Sequence, residues 1–340
     1  MRIFFHPDQN LHEPAVEMHN GAFVPYAEHG GRVASVLAAL GAPEHPDDFG
    51  LPPIAAVHSG EYLDFLQSGH ERWLSAGRHG DAIPYVWPVR RRRALRLDRI
   101  DALLGRFSFD ATTPLTATTW PAAYAAAQTA LAATQAVLDG AAHAFALCRP
   151  PGHHAGADYM GGYCYLNSAA IAAQRARDGG RERVAILDID YHHGNGTQDI
   201  FWERGDVLFA SIHSDPATDY PFYWGHADET GAGAGEGATF NLPLAHGADL
   251  AAYRAALGVA LERTAAFAPE LLVVSFGADT FVDDPICNFG LLTEDYARIA
   301  EDIAGRGWPT VIILEGGYAV DQLGVNVATF LEGFVSVAAG

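Results

Sequence analysis

Two carboxylates and an imidazole give this sequence its first chemical reading. Asp190 and His192 are two positions apart, so on an extended segment their side chains point the same way, and Asp279 stands at the end of a later apolar run. Together they can offer two carboxylate oxygens and one ring nitrogen. Three protein ligands leave a position open for water or substrate, as a catalytic zinc requires, although an oxygen-rich set also accepts other divalent metals. His153 and His154 follow Pro150-Pro151-Gly152, a rigid turn that can aim both rings. Imidazoles titrate near neutrality, so one can take a proton from an attacking water while the other supports the developing charge; Asp188 and Asn195 are candidate partners for the far ring nitrogens. Tyr318 follows Gly316-Gly317, whose freedom at positive φ can swing a phenol into a cleft to meet an oxyanion. Each feature alone has a plainer reading as a cap, a loop residue or a packing residue. In combination they describe metal-assisted hydrolysis.

These residues need a scaffold that brings distant loops to one edge. Short β-branched and apolar runs at 2–5, 145–148, 184–188, 207–211, 271–275 and 310–314 predict strands, and helices are predicted at 31–40, 121–139, 167–177, 248–268 and 293–305. Alternating strands and helices predict a mainly parallel sheet covered on both faces, in a single α/β domain spanning 1–340. Ligands bind such sheets beyond the carboxyl ends of the strands. Here the runs lead directly into His153 and His154, into 188–196, into Asp279 and into 315–318. The stretch 69–117, with Trp73, Trp87 and the basic run 90–93, shows no clear period and reads as an insertion whose arginines face solvent or a partner subunit. The glycine-rich run 231–237 lacks the Gly-Lys-Ser/Thr ending of a phosphate loop and reads as a plain loop.

Charge narrows the partners. With 21 Lys and Arg against 41 Asp and Glu, the formal net charge of −20 over 340 residues repels nucleic acid and enriches small cations near an acidic mouth. No apolar run approaches membrane-spanning length, and the first residues are too short for a signal h-region, so a soluble, cytoplasmic protein with no membrane partner is expected. Cys148, Cys164 and Cys287 are widely spaced and form no Cys-x-x-Cys pair, against a disulfide framework or a thiolate zinc site.

Taken together, Arg149-Pro150-Pro151-Gly152-His153-His154, the segment 161–167, Asp188-Ile189-Asp190-Tyr191-His192-His193-Gly194-Asn195-Gly196, Ser275-Phe276-Gly277-Ala278-Asp279 and Glu315-Gly316-Gly317-Tyr318 resemble the histone deacetylase superfamily. Within it, Trp87-Pro88-Val89-Arg90, Asn195 in place of the more usual Asp, and the segment 196–201 are most similar to bacterial acetylpolyamine amidohydrolases. The resemblance implies an arginase/deacetylase-like three-layer fold around an eight-stranded parallel sheet, and metal-dependent amide hydrolysis releasing acetate. It implies zinc on Asp190, His192 and Asp279. His153 would pair with Asp188 and His154 with Asn195, His154 acting as general base and acid while Tyr318 polarises the acetyl carbonyl. Gly162, Tyr163 and Tyr220 would line the acyl channel, and a potassium ion would lie near Asp188, Asp190, His192 and Ser211. Glu17 and Asp101 would greet the distal ammonium groups of a small cationic acetylated amine, with Thr112 and Thr113 where a further acid is expected. The insertion would join a homodimer and narrow the mouth. Three alternatives stand beside this reading: a protein acetyl-lysine deacetylase, an arginase-like ureohydrolase, and a non-catalytic binder of acetyl groups. The ureohydrolase needs a second metal's carboxylates, which the order Asp188-x-Asp190-x-His192 does not supply.

Overall fold

The computed structural model describes residues 1–88 and 96–338. Its strands are β1 (Arg2–Phe4), β2 (Val16–His19), β3 (Ala22–Pro25), β4 (His143–Ala146), β5 (Val184–Asp188), β6 (Val207–Ser214), β7 (Thr239–Leu244), β8 (Leu271–Phe276) and β9 (Thr310–Leu314). The helices are α1 (Gly31–Leu40), α2 (Pro52–Ala55), α3 (Gly60–Ser75), α4 (Ile100–Arg106), α5 (Thr119–Leu138), α6 (Ser168–Asp178), α7 (Asn195–Phe201), α8 (Leu250–Phe267), α9 (Thr293–Ala304) and α10 (Val320–Ala338). The main sheet is parallel throughout and runs β1-β4-β9-β8-β5-β6-β7, with β2 and β3 forming a separate antiparallel pair. The expected eight-stranded sheet is thus corrected to seven strands among the described residues.

The central strands are nearly continuous apolar runs because both faces are covered. Leu272, Val274, Ile312, Leu314, Ala185 and Leu187 face α1, α8, α9 and α10, whereas Leu271, Val273, Val311, Ile313, Val184 and Ile186 face α5 and α6. The two-residue period of a strand sorts neighbours onto opposite faces, and each fully buried Val, Leu or Ile contributes about 1.5–3 kcal/mol. Helix α5 is rich in alanine for a reason that follows from its place. Ala126, Ala130 and Ala133 lie against the sheet, while Ala123, Ala127 and Leu131 pack on a third core built by Tyr62, Phe65, Leu66, Leu103, Leu104 and Phe107. A helix enclosed on two sides shows no single apolar stripe.

The expected elements are present with shifted ends, and others were not anticipated. The β4 run starts two residues earlier than its apolar signal, and β6 continues to Ser214. Strand β7 carries Pro243, which a parallel strand tolerates at the sheet edge where β7 lies. The stretch 69–117 is not wholly irregular: α3 runs into it and α4 lies within it, too short for a period to show. Val89 and the basic run 90–93 fall outside the described residues. Among the described residues no helix is long and apolar enough to cross a membrane. Cys148, Cys164 and Cys287 are free and buried.

Candidate active site

The loops leaving β4, β5, β8 and β9 meet beyond the carboxyl edge of the sheet. Register fixes the centre: Asp188, the last residue of β5, lies opposite Ser211 on β6 and Ser275 on β8. Two residues further on, Asp190 and His192 meet Asp279 as the spacing predicted. The Nδ1 atom of His192 is 3.5 Å from Oδ1 of Asp190 and 3.4 Å from Oδ2 of Asp279, with both carboxylates fully buried. Backbone amides orient these acids. Asp190 accepts from Gly316 N (2.8 Å) and His192 N (2.8 Å), and Asp279 Oδ1 accepts from Tyr191 N (3.0 Å). Gly316 is demanded by this close approach, since a Cβ there would collide with the Asp279 and Asp190 carboxylates.

The residues fit a divalent cation. Oδ2 of Asp279 is buried and has no hydrogen-bond partner among the described residues, although it faces His192. Burial and the adjacent Asp190 carboxylate push the Asp279 carboxyl up to about 7, as expected of an acid whose counter-charge is a ligand. Against the opposing effect of burial, hydrogen bonds and charge from Asp190 and Asp279 raise His192 to about 10. Two carboxylates and one imidazole nitrogen in this arrangement make an oxygen-rich, three-donor cradle.

Beside it the tandem histidines are held in different states. His153 Nδ1 lies 3.1 Å from Oδ2 of Asp188, and His154 Nδ1 lies 2.7 Å from Oδ1 of Asn195, with ring centroids 4.0 Å apart. Burial works against a charged His153, but the carboxylates of Asp190 and Asp188 outweigh it and raise the ring to about 10. Burial and the positive charge of His153 and His192 hold His154 well below its ordinary value, and the neutral Asn195 amide offsets little of this. Near pH 7 the pair is therefore one cation and one free base. Their loop is aimed by Glu315, whose Oε2 accepts from Gly152 N (2.6 Å) and His153 N (3.1 Å) while Oε1 accepts from Ser275 Oγ (2.8 Å).

Tyr318 closes the far side. Its backbone N–H donates to Asp284 Oδ2 (2.7 Å), and its ring lies 5.0 Å from the Arg32 guanidinium and 5.6 Å from the Tyr163 ring. Burial pushes the phenol well up, so it remains a proton donor at working pH. Arg32 donates to Gly317 O (2.7 Å) and to Glu315 O, setting the turn. Arg32 and Arg149 both reach Oε1 of buried Glu28 at 2.9 Å, and Arg149 also donates to Gln9 O (3.0 Å). This triad ties the N-terminal segment to the Pro-Pro-Gly and Gly-Gly-Tyr loops. Removing one partner from a buried ion pair costs about 3–5 kcal/mol.

The residues expected to line an acyl channel lie close to the histidines. The Tyr163 hydroxyl donates to Oε1 of Glu17 (3.0 Å), and Glu17 is only 3% exposed, its carboxyl raised by burial. Tyr220 packs edge-on to His154 and His192, with centroids 5.2 and 5.8 Å away. Gly162 has φ +54°, and a Cβ there would collide with the His154 ring. Ser211 Oγ bonds His213 Nδ1 at 2.8 Å, beside Asp188. Asp101 requires correction. Its two carboxylate oxygens are taken by Arg78 and Arg99, each at 2.8 Å, so it is not free to receive a substrate ammonium. The acid of the insertion that meets Gly162 and Tyr220 is Asp110, which accepts from Gly162 N (2.7 Å) and the Tyr220 hydroxyl (2.9 Å). Sequence reading passed over Asp110, Glu28, Arg32, Asp284 and the hub role of Glu315. The nearest signal was an acid among polar residues just before Thr112 and Thr113.

Comparison with known proteins agrees with this geometry. Residues 28–334 match the histone deacetylase domain model. The chain is 49% identical to acetylpolyamine amidohydrolase 2 of Pseudomonas aeruginosa, over 99% of both chains, and 44% identical to acetylpolyamine amidohydrolase of Mycoplana ramosa, over 98% of this chain and 99% of that one. Its structure is similar to the crystal structure of acetylpolyamine aminohydrolase from Burkholderia pseudomallei after an iodide soak, with TM-score 0.95 and 45% identity over 99% of each chain. A parallel sheet with both faces covered, a buried three-donor cradle and a tandem-histidine loop at its carboxyl edge, matched over most of the length, place the chain in the histone deacetylase domain family.

Proposed function

We propose that this chain is a zinc-dependent amidohydrolase that removes acetyl groups from acetylated polyamines or related small amines, releasing acetate and the free amine. The observation that carries the reading is the convergence of Asp190, His192 and the unpartnered Asp279 oxygen beside His153 and His154. The acetylpolyamine amidohydrolases that match at full length support the substrate class.

Zinc held by Asp190, His192 and Asp279 would supply Lewis acidity toward the acetyl carbonyl and toward a water. The remaining work falls to the chain. His154, neutral near pH 7, accepts the water's proton at Nε2 as the oxygen attacks, because its Nδ1 is engaged by Asn195. Tyr318 donates to the carbonyl oxygen as that oxygen gains charge, and the protonated His153 adds positive potential alongside. His154 then gives its proton to the departing amine nitrogen. Asp188 and Asn195 hold the two rings in place. A potassium ion near Asp188, Asp190, His192 and Ser211 would stiffen the carboxyl end of β5. Gly162, Tyr163 and Tyr220 clasp the methylene chain, and the buried Glu17 carboxylate behind Tyr163 attracts an ammonium group beyond it.

The insertion at 69–117 would dock a second copy and narrow the mouth. Exposed Tyr85, Trp87, Phe222 and Tyr223 support this part of the reading, since so many large apolar side chains in water suit a contact surface. Such a mouth admits slender amines rather than folded proteins, which favours this reading over a protein-lysine deacetylase.

Acetylputrescine incubated with the zinc-loaded chain should yield acetate and putrescine one for one. A chelator should stop the reaction and added zinc restore it; no release of acetate from any acetylated amine would defeat the reading. Asp279→Ala should lose zinc and activity together, by about 100-fold or more, because a missing ligand costs at least as much as a lost supporting contact. Two tightly bound zinc ions per chain, or full activity in that variant, would contradict a single three-donor site. Glu17→Gln should raise KM for acetylputrescine about tenfold, the scale of one charge-assisted hydrogen bond, and leave a neutral acetamide of the same length unaffected. Equal effects on both substrates would remove Glu17 from amine recognition.

A further inference from the structure

The channel walls come from distant parts of the chain. One is the turn at Gly162 and Tyr163, both in left-handed conformation at φ +54° and +66°; the other is the ring of Tyr220. Among the described residues neither wall has strand or helix pairing across the gap to fix its distance from the other. Both are bound instead to the end of the insertion. Oδ2 of Asp110 accepts the Gly162 N–H (2.7 Å), the Tyr220 O–H (2.9 Å) and Thr112 Oγ1 (2.9 Å), while Oδ1 accepts Thr112 N (3.2 Å). Thr113 Oγ1 takes the next amide of the turn, Tyr163 N (2.9 Å).

Asp110 is itself anchored. Phe109 N donates to Met160 O (3.1 Å) and Met160 N to Phe107 O (2.8 Å), so the insertion is knitted to the strip preceding Gly162. Phe109 also stacks on Tyr220, with ring centroids 5.9 Å apart and planes 24° apart. What this anchor holds in register lies next to the reacting groups: Gly162 abuts the His154 ring and Tyr220 abuts both His154 and His192.

We propose that Asp110 is a positioning residue that sets the width of the substrate channel, stapling its two walls through Gly162 and the Tyr220 hydroxyl. The staple makes the insertion a working part of the site within its own chain. It acts through hydrogen bonding rather than through charge, since one oxygen serves both walls. The inference rests on the amide-hydrolase reading above.

The test compares Asp110→Ala, Asp110→Asn, Tyr220→Phe and the Asp110→Ala/Tyr220→Phe double variant, all zinc-loaded, on acetylputrescine and on neutral N-butylacetamide. Asp110→Ala should lower kcat/KM about 10- to 100-fold on both substrates, with much of the loss in kcat, because a wall displaced by an ångström misaligns the reacting atoms. Zinc content should be unchanged. Asp110→Asn should recover to within about threefold of the unaltered chain, its amide oxygen accepting the two wall donors while its NH2 group gives up only the long 3.2 Å contact from Thr112 N. Tyr220→Phe should cost less than Asp110→Ala, and the double variant should be no worse than Asp110→Ala, since both changes break one linkage. The inference is overturned if Asp110→Ala stays within twofold, loses only KM or loses zinc. It is overturned equally if Asp110→Asn is poor on acetylputrescine but normal on the neutral amide, or if the two single losses multiply. An unaltered chain that hydrolyses neither acetylated amine would refute the underlying reading instead. Should Asp110→Ala fail to fold, Asp110→Asn and Tyr220→Phe still decide.

Discussion

Tyr318→Phe is expected to keep its zinc and lower kcat by about two to three orders of magnitude, the range for loss of one preorganised oxyanion donor. The change removes an oxygen and leaves the ring, so contacts with Arg32 at 5.0 Å and Tyr163 at 5.6 Å persist and the channel keeps its shape. The backbone bond from Tyr318 N to Asp284 holds the turn in either case. KM should move little, because the hydroxyl matters most as the carbonyl oxygen becomes negative. Zinc analysis and steady-state kinetics on the same preparation check this. A variant with near-normal kcat would reduce Tyr318 to a packing residue.

His154→Ala should cost about two to four orders of magnitude in kcat/KM, the range for a positioned general base and acid. Its pH dependence has a definite sign. His154 is held below its ordinary value of 6.5 by burial and by the charge of His153, so its free-base form persists as pH falls through 6.5. The acid limb of kcat/KM that belongs to this ring therefore lies below 6.5. Asn195→Asp would place a carboxylate on Nδ1 in place of the 2.7 Å amide contact, favour the imidazolium and move that limb to higher pH. A profile unchanged by Asn195→Asp would mean that another group supplies the base.

The catalytic loops were legible because their residues are contiguous and each follows a strand whose apolar run is unmistakable. Asp190 and His192 needed only the two-residue period, and Asp279 only the apolar run before it. What escaped is held by contacts between distant segments. Glu28 and Arg32 stand four apart, but the third member of their buried triad, Arg149, lies 121 positions beyond Glu28, and no spacing links it to them. Asp101 was misread for the opposite reason. It lies in the insertion as expected, but Arg78 and Arg99 fold back upon it, while the less conspicuous Asp110 reaches the channel. In the fold, the β-branched strands declared themselves, whereas β7 was hidden by its proline and polar residues at the sheet edge. Helix α4 was hidden by being seven residues long.

The central claim is that the site is shaped for a slender cationic amine, and one comparison tests it most directly: kcat/KM of the zinc-loaded chain on acetylputrescine and on an acetyl-lysine peptide. The proposed role of Glu17, which holds the Tyr163 hydroxyl, predicts that acetylputrescine is favoured by about tenfold or more, the scale of one desolvated charge contact. Equal efficiency on the two substrates, or preference for the peptide, would contradict the account and leave a protein-lysine deacetylase in its place.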